Sequence, residues 1–267
     1  MKSGVLFING HLGRLVLSHV LKDSDLDIKL IVLNHPNKRS RNFHSEVEQI
    51  VSSSKEKIPI TEWGNNDFIE HHELLAQCSF GISALFGHLI PESIINRLSK
   101  GIINLHPSLL PLGKGADPVP WAIISSEKQG ATIHLVSDEL DGGAILSQKE
   151  IHSNLAMNAG EIYELCIASL FTQLQELLHP WLEGDILPSA QSRISKSVRK
   201  SNELDSLRTL HASEVSTFSS FIRRLQALTY SDRRLPFFRD EVGNLWEIDI
   251  KLHRIENEKG RTREREI

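Results

Sequence analysis

The chain has little cysteine. Cys78 and Cys166 are its two thiols in 267 residues. They stand far apart, which argues against a disulfide-stapled secreted fold and points to a reducing, cytoplasmic setting. It also lacks a long apolar run. No stretch approaches about 20 apolar residues, so no membrane span is expected. The N-terminal "MKSGVLFING" has an apolar segment of strand length, without the longer core and small-residue cleavage site of a signal peptide. Basic charge is not in excess: 30 Lys and Arg stand against 34 Asp and Glu, for a net charge of −4. That balance argues against a general nucleic-acid binder. His71-His72 lacks the i, i+4 spacing of a helical ligand pair, and no metal site is expected. There are no internal repeats.

Hydrophobic residues make up 40% of the chain, enough for a substantial core. They fall into an alternating order. "GVLFIN", "IKLIVL", "IPIT", "SFGISALF" and "GIINL" read as buried strands. Between them "HLGRLVLSHVLK", "NFHSEVEQIVSSS", "NDFIEHHELLAQ" and "PESIINRLSK" read as helices. Continuous apolar strands separated by helices predict an α/β fold with a mostly parallel sheet covered on both faces. Beyond it "DPVPWAIISS" reads as a helix. "ATIHLVS" and "GAILSQKEI" read as strands around "DELDGG", and residues 159–184 as one long helix. The texture then turns polar and basic. The expected organisation is a catalytic domain over 1–185, a small subdomain of one helix and a β-hairpin over 186–255, and a charged tail over 256–267.

In such sheets ligands sit beyond the carboxyl ends of the strands. "INLHPSLLP" ends a predicted strand there. Asn104 and His106 are two residues apart and so share one strand face, and Pro107 stops the ladder. "SDELDGG" supplies Asp141 just before a Gly142-Gly143 turn. An amide, an imidazole and a carboxylate brought together suit acyl transfer. The Asn would donate to an oxyanion, the His would move a proton, and the Asp would hold the His. No Ser or Cys stands as an obvious nucleophile. The same residues also suit a structural histidine and ordinary turn chemistry, and spacing alone does not decide.

The whole run "INLHPSLLPLGKGADPVPWAII … GATIHLVSDELDGGAILSQKEI" resembles the formyltransferases that use 10-formyltetrahydrofolate. These include the glycinamide ribonucleotide, methionyl-tRNA and sugar N-formyltransferases. The hallmark, Asn-x-His-Pro-Ser-x-Leu-Pro and then an Asp-x-Gly some 35 residues on, falls on Asn104, His106, Pro107, Ser108, Leu110, Pro111, Asp141 and Gly143. The resemblance implies a Rossmann-like formyltransferase domain, a folate cosubstrate and no metal. It gives the catalytic roles to Asn104, His106 and Asp141. It implies a folate site over Phe86, Gly87, His88, Leu89, Ile90, Val136, Asp138 and Leu140. Asn9, Gly10, Lys114 and Trp121 are expected on the acceptor side. Lys114 stands where many relatives carry Arg, and Lys lacks the bidentate fork.

The C-terminal third is too short for the barrel of the tRNA enzymes and most resembles the sugar N-formyltransferases. That implies, as acceptor, a nucleotide-linked amino deoxysugar on dTDP, for a bacterial surface glycan. A methionyl-tRNA acceptor, or another small-molecule amine, is the alternative. Trp63, Phe237 and Trp246 suit base stacking or core packing. Lys38, Arg39 and Arg41, and Arg193, Lys196, Arg199 and Lys200, suit a pyrophosphate or a solvated loop. Trp246, Ile248 and Ile250 alternate on the hairpin, and a lone hairpin is marginal in water, so a homodimer is expected.

Overall fold

A computed structural model describes residues 1–35, 41–54, 57–64, 71–192, 198–200, 202–211, 213–230 and 235–254. Lys38, Arg39, Arg193, Lys196, the beginning of the helix expected from residue 66, and the charged tail lie outside the described residues, as does the side chain of Arg41.

Seven strands form one sheet in the order β3-β2-β1-β4-β5-β6-β7. They are β1 (Lys2–Ile8), β2 (Leu26–Leu33), β3 (Ile60–Glu62), β4 (Phe80–Ala84), β5 (Ile102–His106), β6 (Gln129–Leu135) and β7 (Ile145–Ile151). The first five run parallel and the last two antiparallel. This is the expected Rossmann-like, mostly parallel sheet. The order reverses between β1 and β4, where an open α/β sheet leaves a crevice at its carboxyl edge.

Both faces are covered, which is why the central strands are apolar throughout. On one face α1 (Gly10–Val20), α2 (Arg41–Ser52) and the long α6 (Ala159–Glu183) pack on Leu6, Ile8, Ile82, Ile103 and Leu105. On the other, α3 (His72–Ala76) and α4 (Glu92–Ile95) meet Phe7, Leu30 and Ile102. Each such side chain contributes about 1.5–3 kcal/mol by leaving water. Close strand packing is visible at Gly81, where a Cβ would come within 2.9 Å of Ile102 Cγ1.

The 25-residue α6 is defined at both ends. Asn158 accepts from Glu161 N at 3.0 Å, and Glu161 Oε2 accepts from Asn158 N at 2.8 Å, a reciprocal capping box. Gly184 then stops it in the left-handed region. After α6 come a 3₁₀ turn (Asp205–Arg208), α7 (Phe218–Leu228) and a hairpin of β8 (Phe237–Arg239) and β9 (Leu245–Glu247). The helix α7 packs beside α5 (Pro118–Ile124). The hairpin has three-residue strands, shorter than its alternation suggests.

Candidate active site

Asn104 and His106 close β5. On the neighbouring strands Asn104 is level with Ser83 and His134. Ser83 Oγ donates to Asn104 Oδ1 at 2.8 Å, and Asn104 Nδ2 donates to His134 Nε2 at 3.1 Å. His134 Nδ1 donates in turn to its neighbour's carbonyl, Leu135 O, at 2.8 Å. Burial, and then the proximity of His106, push His134 down to about 4. The ring is therefore neutral at physiological pH, with its Nε2 lone pair free to accept. The amide of Asn104 is thus fixed. Its oxygen is spent on the serine and one N–H on the imidazole, which leaves the second N–H for a molecule in the adjoining cleft.

His106 is 6% exposed and donates from Nε2 to Gly113 O at 2.9 Å. Its Nδ1 lies 3.8 Å from Asp141 Oδ1, and His134 Nε2 lies 3.7 Å from the same oxygen. Both distances exceed a hydrogen bond and lie within ion-pair range. Asp141 Oδ2 accepts from Gly115 N at 2.8 Å. One buried carboxylate therefore faces two imidazoles. Burial keeps His134 the neutral one of the two.

Two loops make this convergence possible. The loop after β5 is pinned beneath by Thr132, whose Oγ1 donates to Ser108 O at 2.6 Å and accepts from Leu110 N at 3.2 Å. It then turns through Gly113 (φ 69°) and Gly115 (φ 90°). The second loop joins β6 to β7. Sequence reasoning puts both loops at one end of the sheet. Because β6 is antiparallel, its turn instead begins level with the amino end of β5, where Val136 N bonds Ile102 O at 2.7 Å. The turn doubles back to bring Asp141 over His106 and His134. Asp141 takes a φ of 50° in doing so. Gly143 passes so close beneath the strand that a Cβ there would stand 1.8 Å from Leu135 O.

A cleft opens beside the three residues. Of the expected folate-site residues, Phe86, His88, Leu89, Ile90, Val136 and Leu140 line it, with Asn104, His134 and Asp141 at its polar end. Gly87 and Asp138 lie outside the lining: Gly87 N donates to Asn34 Oδ1 at 3.1 Å, and Asp138 Oδ1 accepts from Glu139 N at 3.0 Å. Trp63 stacks on His88, with ring centres 6.1 Å apart, and buttresses Phe86 edge-on at 5.4 Å. Burial lowers the pKa of His88, with His35 adding to the effect. A cleft that sets apolar side chains beside polar groups suits a heterocycle carrying hydrogen-bonding atoms. A larger cavity of about 540 Å³ lies apart, between the beginning of α6 and the hairpin. Among the described residues Glu161, Glu164, Glu247, Asp249 and Lys251 supply its charged lining.

The remaining expected residues are spread around the two loops. Lys114 Nζ pairs with Glu139 Oε1 at 2.6 Å and so links the His loop to the Asp loop. Trp121, on α5, lies under the guanidinium of Arg199, 4.2 Å from its ring centre. Asn9 and Gly10 sit at the carboxyl end of β1. Gly10 (φ 59°) opens α1 beside Leu85, and Asn9 makes no side-chain cap. Ser83 carries no signal in the sequence and His134 reads there as a structural strand histidine, because only the strand order brings them beside Asn104. Gln191 and Arg199 contact the same loops; no local pattern marks Gln191, and the basic run offers Arg199 only for a pyrophosphate or a solvated loop. Among the described residues no cluster of His, Cys, Asp or Glu suits a metal ion, and no helix is long and apolar enough to cross a membrane.

The chain belongs to the Formyl transferase family, which residues 5–165 match. Among its relatives is a methionyl-tRNA formyltransferase of Clostridium novyi, 33% identical over 134 residues, which are 50% of this chain and 43% of that one. A dTDP-4-amino-4,6-dideoxyglucose formyltransferase of Mycobacterium tuberculosis is 32% identical over 144 residues, 53% of this chain and 60% of that one. The chain thus spans about half the length of the curated relatives it matches. The fold is similar over nearly its full length to a 4-N formyltransferase from Francisella tularensis, with a TM-score of 0.77, 21% identity, and coverage of 95% and 98% of the two chains. It is also similar to an N-formyltransferase from Helicobacter canadensis solved with folinic acid and dTDP-3-aminofucose. There the TM-score is 0.69, identity is 17%, and coverage is 88% of this chain and 83% of that one.

Proposed function

We propose that the protein transfers a formyl group from 10-formyltetrahydrofolate to the primary amine of a nucleotide-linked amino deoxysugar, with dTDP as the nucleotide. The observation that carries this reading is the meeting of Asn104 and Asp141 in the 86–90 and 136–140 cleft, with His106 Nδ1 3.8 Å from the Asp141 carboxylate. The cleft would take the pterin of the folate between Phe86, Leu89, Ile90 and Val136.

The neutral acceptor amine attacks the formyl carbon. A C–N bond forms and the formyl oxygen gains negative charge. The free N–H of Asn104 and a protonated His106 stabilise that charge. The bond to the folate nitrogen then breaks, that nitrogen takes a proton from His106, and the proton shed by the attacking amine restores the imidazolium. Asp141 keeps the imidazolium oriented, while His134 and Ser83 hold the amide of Asn104 in its donating orientation. No protein nucleophile is needed.

The sugar acceptor draws support from the resemblance of the C-terminal third to the sugar N-formyltransferases. It is also consistent with what the Mycobacterium and Helicobacter proteins act on or bind by name. The product would be an N-formyl sugar for a surface glycan, made in the cytoplasm.

A panel of nucleotide amino sugars, assayed with 10-formyltetrahydrofolate by release of tetrahydrofolate, tests the proposal. Turnover with a dTDP-amino sugar is the expected result. Efficient formylation of methionyl-tRNA, with steep salt dependence and no sugar turnover, would replace the acceptor.

A further inference from the structure

The polar, basic stretch after α6 reads in sequence as a boundary between domains. In the fold its described residues touch the site at three successive places. Ser189 exchanges backbone hydrogen bonds with Ile145, at 2.8 and 2.7 Å, where β7 begins. Two residues on, Gln191 Nε2 donates to Asp141 O at 2.8 Å and to Gly143 O at 2.7 Å. Arg199 then lies parallel to the His loop. Its N donates to Lys114 O at 3.2 Å, and its O accepts from Ala116 N at 2.9 Å. The fit is tight: a Cβ on Gly115 would come within 2.4 Å of Arg199 O. The Arg199 guanidinium covers Trp121 and pairs with Glu203 Oε2 at 3.5 Å.

These contacts flank the groups that hold the candidate catalytic pair. Gly113 O accepts from His106, and Gly115 N donates to Asp141. Gln191 gives both amide hydrogens to the strained turn that carries Asp141. All three residues lie beyond the segment, 5–165, that matches the family.

We propose that Gln191 and Arg199 are positioning residues. Together they strap the Asp141 turn and the His106 loop into register, so the 3.8 Å approach of the imidazole to the carboxylate depends on chain outside the family core. The inference rests on the formyl-transfer reading above for its kinetic test.

The test is a double-mutant cycle between Gln191→Ala and Asp141→Asn, with melting temperature confirming the fold. If Gln191 acts through Asp141, Gln191→Ala lowers kcat by about 10-fold or more and leaves KM for folate and acceptor within about twofold. In the Asp141→Asn background the same change costs less than about twofold. Arg199→Ala lowers kcat several-fold, and Arg199→Lys, which keeps the cation over Trp121, recovers part of the loss. Hydrogen exchange at the Gly115 amide gives a readout independent of turnover. Gln191→Ala should accelerate it by about 10-fold. A Gln191→Ala loss that appears in KM, or that is undiminished beside Asp141→Asn, overturns the proposal. Unchanged Gly115 exchange does so even if no acceptor is ever found. A wild-type protein that transfers no formyl group refutes the proposed function instead, and the exchange measurement still decides on the strap.

Discussion

Asn104 and Asp141 are each held by at least two neighbours, so their loss should be chemical more than structural. Asn104→Ala, His106→Ala and Asp141→Asn should each lower turnover at least about 100-fold, the scale of a lost oxyanion donor or general acid, while melting near the parent. A His106→Ala enzyme with near-normal kcat would remove the assignment. Gly143 behaves differently. Its Cβ would overlap Leu135 O, so Gly143→Ala must move β6 or the Asp141 turn. Both activity and melting temperature should fall, and a fully active alanine variant would contradict the geometry. His134 makes stability depend on pH. Its folded pKa, about 4, lies below the unfolded value of 6.5. The unfolded chain therefore binds more protons between those values. The stabilisation from a neutral His134 is complete above about pH 6.5 and is lost as pH falls towards 4. His134→Asn should flatten the melting temperature over that window; an identical slope in the variant would rule this source out.

Among the elements, α6 has the clearest ends. Removing its capping box with Asn158→Ala should cost about 1 kcal/mol, which is a fall of about 2–4 °C in a chain of this size. No change on thermal melting would mean that α6 is held by packing alone. The central strands were legible because a strand buried on both faces is apolar at every position. The pairing of Asn104 with His106 was legible because the strand period is two. What surrounds them was not. Ser83 and His134 reach Asn104 only through the order β4-β5-β6, which no local pattern encodes. The antiparallel β6 moved the Asp141 turn to the far end of β5, and its return depends on Gly143 having no side chain. Helix length was overread at "PESIINRLSK". Ile94 and Leu98 both reach the core, but a four-residue helix and the turns after it satisfy that spacing.

The molecule exposes its appendage. Leu245 and Trp246 on β9 are 56% and 53% exposed, on a two-stranded hairpin that is marginal alone. A second copy of the chain covering this hairpin is the expected arrangement. Sedimentation should give a dimer at tens of micromolar protein, and a monomer there would refute it. If the nucleotide anchors the acceptor, the matching nucleoside diphosphate alone should raise the melting temperature, by about 2.7 kcal/mol of stabilisation at a hundredfold excess over its Kd. A flat response to dTDP would place recognition elsewhere. The contacts of Gln191 and Arg199 also set a timetable. Chains are made from the N-terminus, and domains fold as units as they emerge. The sheet and α6 are complete by Glu183, whereas the groups that strap the two loops are synthesised afterwards. A nascent chain halted there would hold every residue of the candidate catalytic trio and the whole sheet, yet turn over slowly until the next sixteen residues had cleared the exit tunnel.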